Sequence, residues 1–231
     1  VSLIEKFFWE LFFPTKCIFC GNYHAGYICP ECFSKLPMPE RYCKLCGRPL
    51  TGINEICYNC EREGTVWDGF EFLGYYRDTW EDVIKALKFQ NKPYIAQTVA
   101  KLAKEKILKR NWKIDMVTFV PLSYKRIKER GYNQSEYLAY FLSKELKVSY
   151  GSLLYLKREI RPQKELSLEE RVGNIKGAFE VDLPYWDKTY RNILIIDDVY
   201  TTGTTLKECV NTLKTKVRYD KMYAFTVVRA L

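Results

Sequence analysis

Eight cysteines fall between Cys17 and Cys60 as four Cys-x-x-Cys pairs: Cys17/Cys20, Cys29/Cys32, Cys43/Cys46 and Cys57/Cys60. Thiols this crowded are held by metal or joined as disulfides, and either choice dictates the fold around them. Four thiolates close a tetrahedral zinc site, and paired short spacings are how ribbons present them. Two pairs run on into glycine, as "CIFCG" and "CKLCG", which suits a tight knuckle around a metal. Disulfides are the rival reading, but repeated two-residue gaps favour metal, and the rest of the chain has the make-up of a cytosolic enzyme. The count gives two structural zinc ions, each in a site of four cysteines. Pairing the first four cysteines and the last four is the simpler arrangement; an interleaved one stays open. The ninth, Cys209, reads as a small buried hydrophobe.

These pairs place a boundary near residue 66. Residues 1–66 are expected to hold an N-terminal helix and a double zinc ribbon, and residues 67–231 a second domain. The opening "VSLIEKFFWELFFP" is apolar but broken by Glu5, Lys6 and Glu10. It lacks the basic start and cleavage site of a secretory signal. An amphipathic helix packed on the body is expected, with a membrane-surface helix as the other option. That option would allow peripheral membrane contact. No apolar run reaches the length of a bilayer span, and the expected location is the cytoplasm.

A second constellation lies in "ILIIDDVYTTGTTL", residues 193–206. Ile193 to Ile196 are apolar without alternation, as in a strand covered on both faces. After Gly203, Leu206, Cys209, Val210 and Leu213 recur at helical spacing, and Thr205 with Glu208 fits a capping box. The segment reads strand, loop, helix. A loop that opens a helix offers backbone N–H groups and the positive end of the dipole. Thr201, Thr202, Thr204 and Thr205 add hydroxyls, and Gly203 lets a phosphate approach. Asp197 and Asp198 would repel that phosphate unless they serve another part of the ligand. Acids at a strand end commonly accept from ribose hydroxyls, so a ribose 5-phosphate group satisfies both halves. A plain capped turn with surface acids is the bland alternative.

This run resembles the signature of type I phosphoribosyltransferases. The resemblance implies that Asp197 and Asp198 hold the ribose hydroxyls of phosphoribosyl pyrophosphate, carried with Mg²⁺, and that the loop from Thr201 to Thr205 holds its 5′-phosphate.

Two further runs matter. In "VPLSYKRIKERGYNQSEYLA", residues 120–139, Lys125, Arg126, Lys128 and Arg130 crowd ahead of Gly131 just after a buried strand. A basic loop with a glycine for close backbone passage suits a pyrophosphate; a solvated helix start is the alternative. In "LKREIRPQKELSLEERVGNIKGAF", residues 156–179, no apolar stripe appears before Ser167 and Glu170, which fit a capping box. Such a segment suits a mobile lid, with Arg161, Lys164 and Arg171 closing over a charged substrate, or a structural connector.

Together with the cysteine module, these motifs resemble the ComF family of competence-associated, phosphoribosyltransferase-like proteins, in order and over nearly the whole chain. The resemblance implies that Arg126, Arg130 and Gly131 flank the pyrophosphate, that Arg161 to Arg171 is the flexible loop, and that the partners are single-stranded DNA and the competence machinery.

Elsewhere, strands are expected at residues 70–76, 115–121, 153–158 and 222–230, and helices at 78–90, 94–110 and 132–147. Strands alternating with helices argue for a parallel sheet. The fold class is therefore α/β: a type I phosphoribosyltransferase-like three-layer domain with a parallel sheet core, plus a small N-terminal zinc-ribbon domain. Through Val66, seven Lys/Arg balance seven Asp/Glu, so the whole net charge of +9 belongs to the second domain. That surplus suits a polyanionic small molecule, a nucleic-acid backbone or simple solubility. Two functions follow: a phosphoribosyltransferase of unknown acceptor, or a non-catalytic nucleic-acid-binding adaptor whose phosphate pocket senses a ligand or a nucleotide end. In a transferase, the N-terminal module would be the candidate for the hood over the acceptor.

Overall fold

The computed structural model describes residues 15–24, 27–89, 95–160 and 173–231. The expected N-terminal helix and Arg161, Lys164 and Arg171 lie outside the described residues.

Two short helices, α1 (Pro30–Ser34) and α2 (Tyr58–Glu63), each begin next to a cysteine of the ribbon. The body then runs β1 (Gly69–Tyr75), α3 (Asp78–Phe89), α4 (Ile95–Lys109), β2 (Met116–Phe119), α5 (Tyr124–Arg130), α6 (Gln134–Leu146), β3 (Ser149–Tyr150), β4 (Leu154–Leu156), β5 (Phe179–Val181), β6 (Thr189–Tyr200), α7 (Thr204–Lys214) and β7 (Arg218–Arg229). Five strands form one sheet in the order β1-β7-β6-β2-β3. Every pairing in it is parallel.

Burial on both faces explains the unbroken apolar text of the central strands. Leu194, Ile196, Phe225 and Val227 face a layer built from α3, α4 and α6, whose stripes include Trp80, Val83, Ile84 and Leu87, then Val99, Ala103 and Ile107, then Leu138 and Leu142. Ile193, Ile195, Met222 and Ala224 face the opposite layer, where α7 contributes Leu206, Cys209, Val210 and Leu213. The three-layer α/β arrangement expected from the alternation of elements is present.

Three details differ from the sequence expectation. Residues 153–158 do not join the parallel sheet: β4 pairs antiparallel with β5 in a separate two-stranded sheet. The parallel edge is taken instead by the two-residue β3, too short to leave a periodicity. The basic run after β2 is a helix, α5, because Ser123 accepts from the Arg126 N–H at 3.4 Å and nucleates its first turn.

The ribbon is built into the body. Ile28 and Leu36 join the α3 layer, and Trp80 donates its indole N–H to Pro37 O at 2.9 Å. On the other face, Cys43, Cys46, Cys57 and Cys60 share a core with Trp67, Phe70, Phe72 and Tyr200. The Phe70 N–H donates to Lys44 O at 2.8 Å, so the ribbon backbone covers the free edge of β1. Exposed edges invite pairing with other chains, and covering one removes that hazard. Glu71, 2% exposed, locks the joint. Its carboxylate accepts from Tyr42 Oη of the ribbon at 2.7 Å and from Arg110 Nε, just beyond α4, at 2.7 Å. A buried charge of this kind is tolerated only when fully paired.

Candidate ligand site and metal centres

β2 and β6 part company after the pair Phe119↔Ile196. The Val120 N–H still reaches Ile196 O at 2.9 Å, and the chain then turns away towards α5. β6 does not stop there, since β7 goes on pairing with it through Tyr200↔Arg229. Asp197 and Asp198 therefore stand inside the strand, on a stretch that has lost one neighbour. Ligands of parallel sheets bind in such a crevice at the carboxyl ends.

Successive residues of a strand face opposite sides. Asp198 continues the row of Leu194 and Ile196 towards α3 and α6. Its Oδ2 accepts from Gln134 Nε2 at 2.7 Å and pairs with Lys88 Nζ at 3.0 Å. Gln134 Oε1 in turn accepts from Arg130 at 2.9 Å, and the Arg130 guanidinium lies 5.3 Å from the Phe89 ring centre. Asp197 continues the row of Ile193 and Ile195. Its Oδ1 accepts from Ser135 Oγ at 3.1 Å and from the Asp198 N–H at 2.8 Å. Burial, followed by the charge of Asp198, pushes the Asp197 carboxyl up to about 7, against the opposing pull of the Asp198 N–H, Lys88 and Ser135.

Just beyond the strand, α7 begins. Gly203 is its N-cap at φ +75°, a backbone region that L side chains rarely adopt. A Cβ there would lie 2.5 Å from Tyr200 Oη. Thr201 and Thr202 are exposed, while Thr204 and Thr205 are half-buried in the first turn. Thr202 and Thr204 hydroxyls share a hydrogen bond of 2.8 Å. The capping box expected from Thr205 and Glu208 does not form in the expected way. The helix starts earlier, at Gly203, and Glu208 Oε1 accepts instead from the Gly177 N–H at 2.6 Å.

The basic segment divides. Arg130 is half-buried and tied to Gln134, and burial lowers its proton affinity. Arg126 is also half-buried, and its guanidinium makes no hydrogen bond or ion pair among the described residues. Gly131 ends α5 in the left-handed region at φ +81°, its N–H donating to Ile127 O at 2.7 Å. Lys88, Gln134 and Ser135 reach the acids without having been singled out from the sequence as acid-binding groups. For Lys88 a signal existed: it continues the buried stripe of Trp80, Val83, Ile84 and Leu87, and a lysine on an apolar stripe needs an internal partner.

The cysteines group as Cys17, Cys20, Cys29, Cys32 and as Cys43, Cys46, Cys57, Cys60, with all ligand atoms of each group within 4.8 Å of one another. Pairing is therefore sequential. A tetrahedron with Zn–S bonds of about 2.3 Å has edges of about 3.8 Å. The Cys20–Cys29 and Cys46–Cys57 sulfur separations of 3.8 and 3.7 Å fit it. Backbone N–H groups also aim at sulfur, as from Cys29 to Cys17 Sγ at 3.4 Å and from Cys57 to Cys43 Sγ at 3.3 Å. Both donor sets thus suit a thiolate-bound metal. The second site is wholly buried, whereas Cys20 of the first is exposed. No helix among the described residues is long and apolar enough to cross a membrane.

Comparison with known proteins agrees with these features. Residues 8–61 match the family described as "Double zinc ribbon domain". Competence protein F of Haemophilus influenzae is 30% identical over 95% of this chain and 99% of its own. The DNA utilization protein YhgH of Escherichia coli is 31% identical over 82% of this chain and 85% of its own. Among solved structures, UMP synthase of Leishmania donovani overlaps with 65% of this chain and 29% of that longer one, at 18% identity and a TM-score of 0.35. With two sequentially paired four-cysteine sites set on a parallel-sheet body and similarity that runs nearly end to end, the chain belongs to the competence protein F family.

Proposed function

We propose that this protein binds the magnesium salt of phosphoribosyl pyrophosphate in the crevice between β2 and β6 and acts as a phosphoribosyltransferase in DNA uptake or utilisation. One observation carries the reading: two acids on a strand that has lost a neighbour, just ahead of a glycine-capped helix ringed with threonines. Hydroxyl and N–H donors at a helix start hold a phosphate. The carboxylates accept from the ribose hydroxyls. As pyrophosphate departs, positive charge develops on the ribose ring, and anions held near the hydroxyls stabilise it. Of the two arginines of α5, Arg126 is the one available to the departing group, since Arg130 is tied to Gln134. Arg161, Lys164 and Arg171 are proposed to close over the pair.

Isothermal calorimetry with the magnesium salt of phosphoribosyl pyrophosphate tests binding. Asp197→Asn should weaken it roughly tenfold or more, the value of one charge-assisted hydrogen bond. Because the Asp197 carboxyl titrates at about 7, wild-type affinity should rise from pH ~6 to ~8 as that proton leaves. The Asn variant should lack this part of the pH dependence. Pyrophosphate release on adding bases, amines or DNA then identifies an acceptor; binding without release would leave the ligand-sensing adaptor.

A second activity on the same rim is favoured by a specific pattern. Tyr124 is 76% and Phe89 70% exposed, beside Lys125, Arg126, Lys128 and Arg130. Exposed rings among cations stack the bases of single strands. We propose that single-stranded DNA lies there, brought by the competence machinery. Its affinity should fall steeply with salt, and the double variant Phe89→Ala, Tyr124→Ala should weaken it roughly tenfold or more by fluorescence anisotropy. Salt-independent binding would reject the assignment. Thiolate zinc sites persist in reducing surroundings, which supports the cytoplasm as the working compartment.

A further inference from the structure

We infer that Lys88 is a positioning residue that divides the labour of the two acids: it fixes Asp198 in an ion pair against the helix layer and leaves Asp197 as the carboxylate that meets the ligand's hydroxyls. The second half rests on the ligand reading above; the first stands on geometry alone.

Lys88 comes from the last turn of α3, and only 19% of its side chain is exposed. The side chain of Asp198, its partner at 3.0 Å, is 7% exposed. Gln134 Nε2 occupies the same oxygen, Oδ2, at 2.7 Å. Arg130 backs Gln134 from the far side. Asp198 is thus gripped from three elements, α3, α6 and, through Gln134, α5. Asp197 is held at one oxygen only, Oδ1, among the described residues. Its other oxygen is the one left for a ligand.

An ion pair here could simply tie α3 to the sheet. Charge separates the two roles. Two neighbouring carboxylates compete for protons as a coupled pair. Among the described residues, the charged or titratable groups facing them are Lys88 from α3, Arg130 from α5 and the Cys209 thiol from α7, with Gln134 and Ser135 of α6 as neutral partners. Cys209 is raised well above the usual thiol range, chiefly by burial, and stays neutral. Among the described residues, Lys88 is therefore the cation in direct contact with the pair. Removing it should make the pair take up its first proton at higher pH, whereas a side chain that tied α3 to the sheet by its packing alone would alter stability and leave proton uptake unchanged.

Carboxyl ¹³C NMR of the ligand-free full chain reads this directly. In Lys88→Met the upper titration step of the diacid should move up by about one pH unit or more, the usual effect of losing an adjacent opposite charge. Lys88→Arg should restore the wild-type step. Lys88→Gln, which keeps a hydrogen-bond donor but no charge, should behave like the methionine variant and serves if Lys88→Met does not fold. An unmoved step in a folded, uncharged variant would overturn the inference. Calorimetry with the magnesium salt of phosphoribosyl pyrophosphate then tests the second half. Lys88→Met should bind weakly at neutral pH and recover as the pH is raised past the new step. If wild type gives no heat at all while the step still moves, the ligand reading fails and the role of Lys88 in the ion pair stands.

Discussion

Cys43→Ser should leave the protein unable to fold at growth temperature, whereas Cys20→Ser should yield a folded protein that has lost one zinc of two. The contrast comes from where each site sits. Cys43, Cys46, Cys57 and Cys60 belong to the same core as Trp67, Phe70, Phe72 and Tyr200. The carbonyls of this knuckle also serve the body. Leu45 O accepts from the Trp67 indole at 2.7 Å, Cys46 O from Arg229 Nε at 2.8 Å and Gly47 O from Tyr75 Oη at 3.3 Å. Without the metal these bonds lose the knuckle that presents them. Structural zinc contributes on the order of 10 kcal/mol in isolated fingers, comparable with the whole stability of an ordinary domain, about 5–15 kcal/mol. Cys20, by contrast, is exposed. Zinc content by atomic absorption, soluble yield and a thermal melt would check both variants. A Cys43→Ser protein that melts like wild type would show that the second knuckle is not part of the core.

The second large effect is expected at Gly203. Gly203→Val should abolish binding of phosphoribosyl pyrophosphate, raising its dissociation constant roughly a hundredfold or more, while lowering the melting temperature by only a few degrees. Two costs add. At φ +75° a β-branched side chain is strained by about 1–3 kcal/mol. Its Cβ would also lie 2.5, 2.6 and 2.7 Å from three atoms of the Tyr200 ring system. That ring cannot retreat easily. Phe70 packs 4.8 Å and Trp67 6.2 Å from it, Arg229 lies 5.6 Å from its centre, and the Ala230 N–H holds Tyr200 O at 2.8 Å. The threonine loop, exposed at Thr201 and Thr202, is the part that yields. Adding Tyr200→Phe should not rescue binding, because the ring carbons remain after the hydroxyl is gone. Unchanged affinity in Gly203→Val would remove the loop from the site.

Both features are open to reading in the sequence, for the same reason: each is local. A Cys-x-x-Cys knuckle or a strand–diacid–threonine–helix run is encoded within a short stretch, and its spacing carries its geometry. The grip on the acids is not local. Lys88 and Gln134 lie far apart in the chain and meet at Asp198 only because α3 and α6 pack on one face of the sheet. Glu71 shows the same difficulty inside "GFEFLGY", where its charge is balanced by Arg110 and Lys106 and hydrogen-bonded by Tyr42, all from other elements. The start of α7 departs from its sequence expectation for a subtler reason. Thr205 and Glu208 have the right spacing for a reciprocal cap, but Gly203 takes the cap position and Glu208 turns to Gly177. Sequence spacing shows which partners are available; tertiary packing decides among them.

The covering of β1 by the ribbon has a bearing on how the chain reaches this state. One side of β1 is occupied by the segment made just before it; the other side waits for β7, and Met222 lies 154 residues beyond its contact at Asp68. Closing so long a loop is slow. The cysteine module, made first, is therefore expected to shield one edge of β1 during synthesis until the last strand arrives on the other.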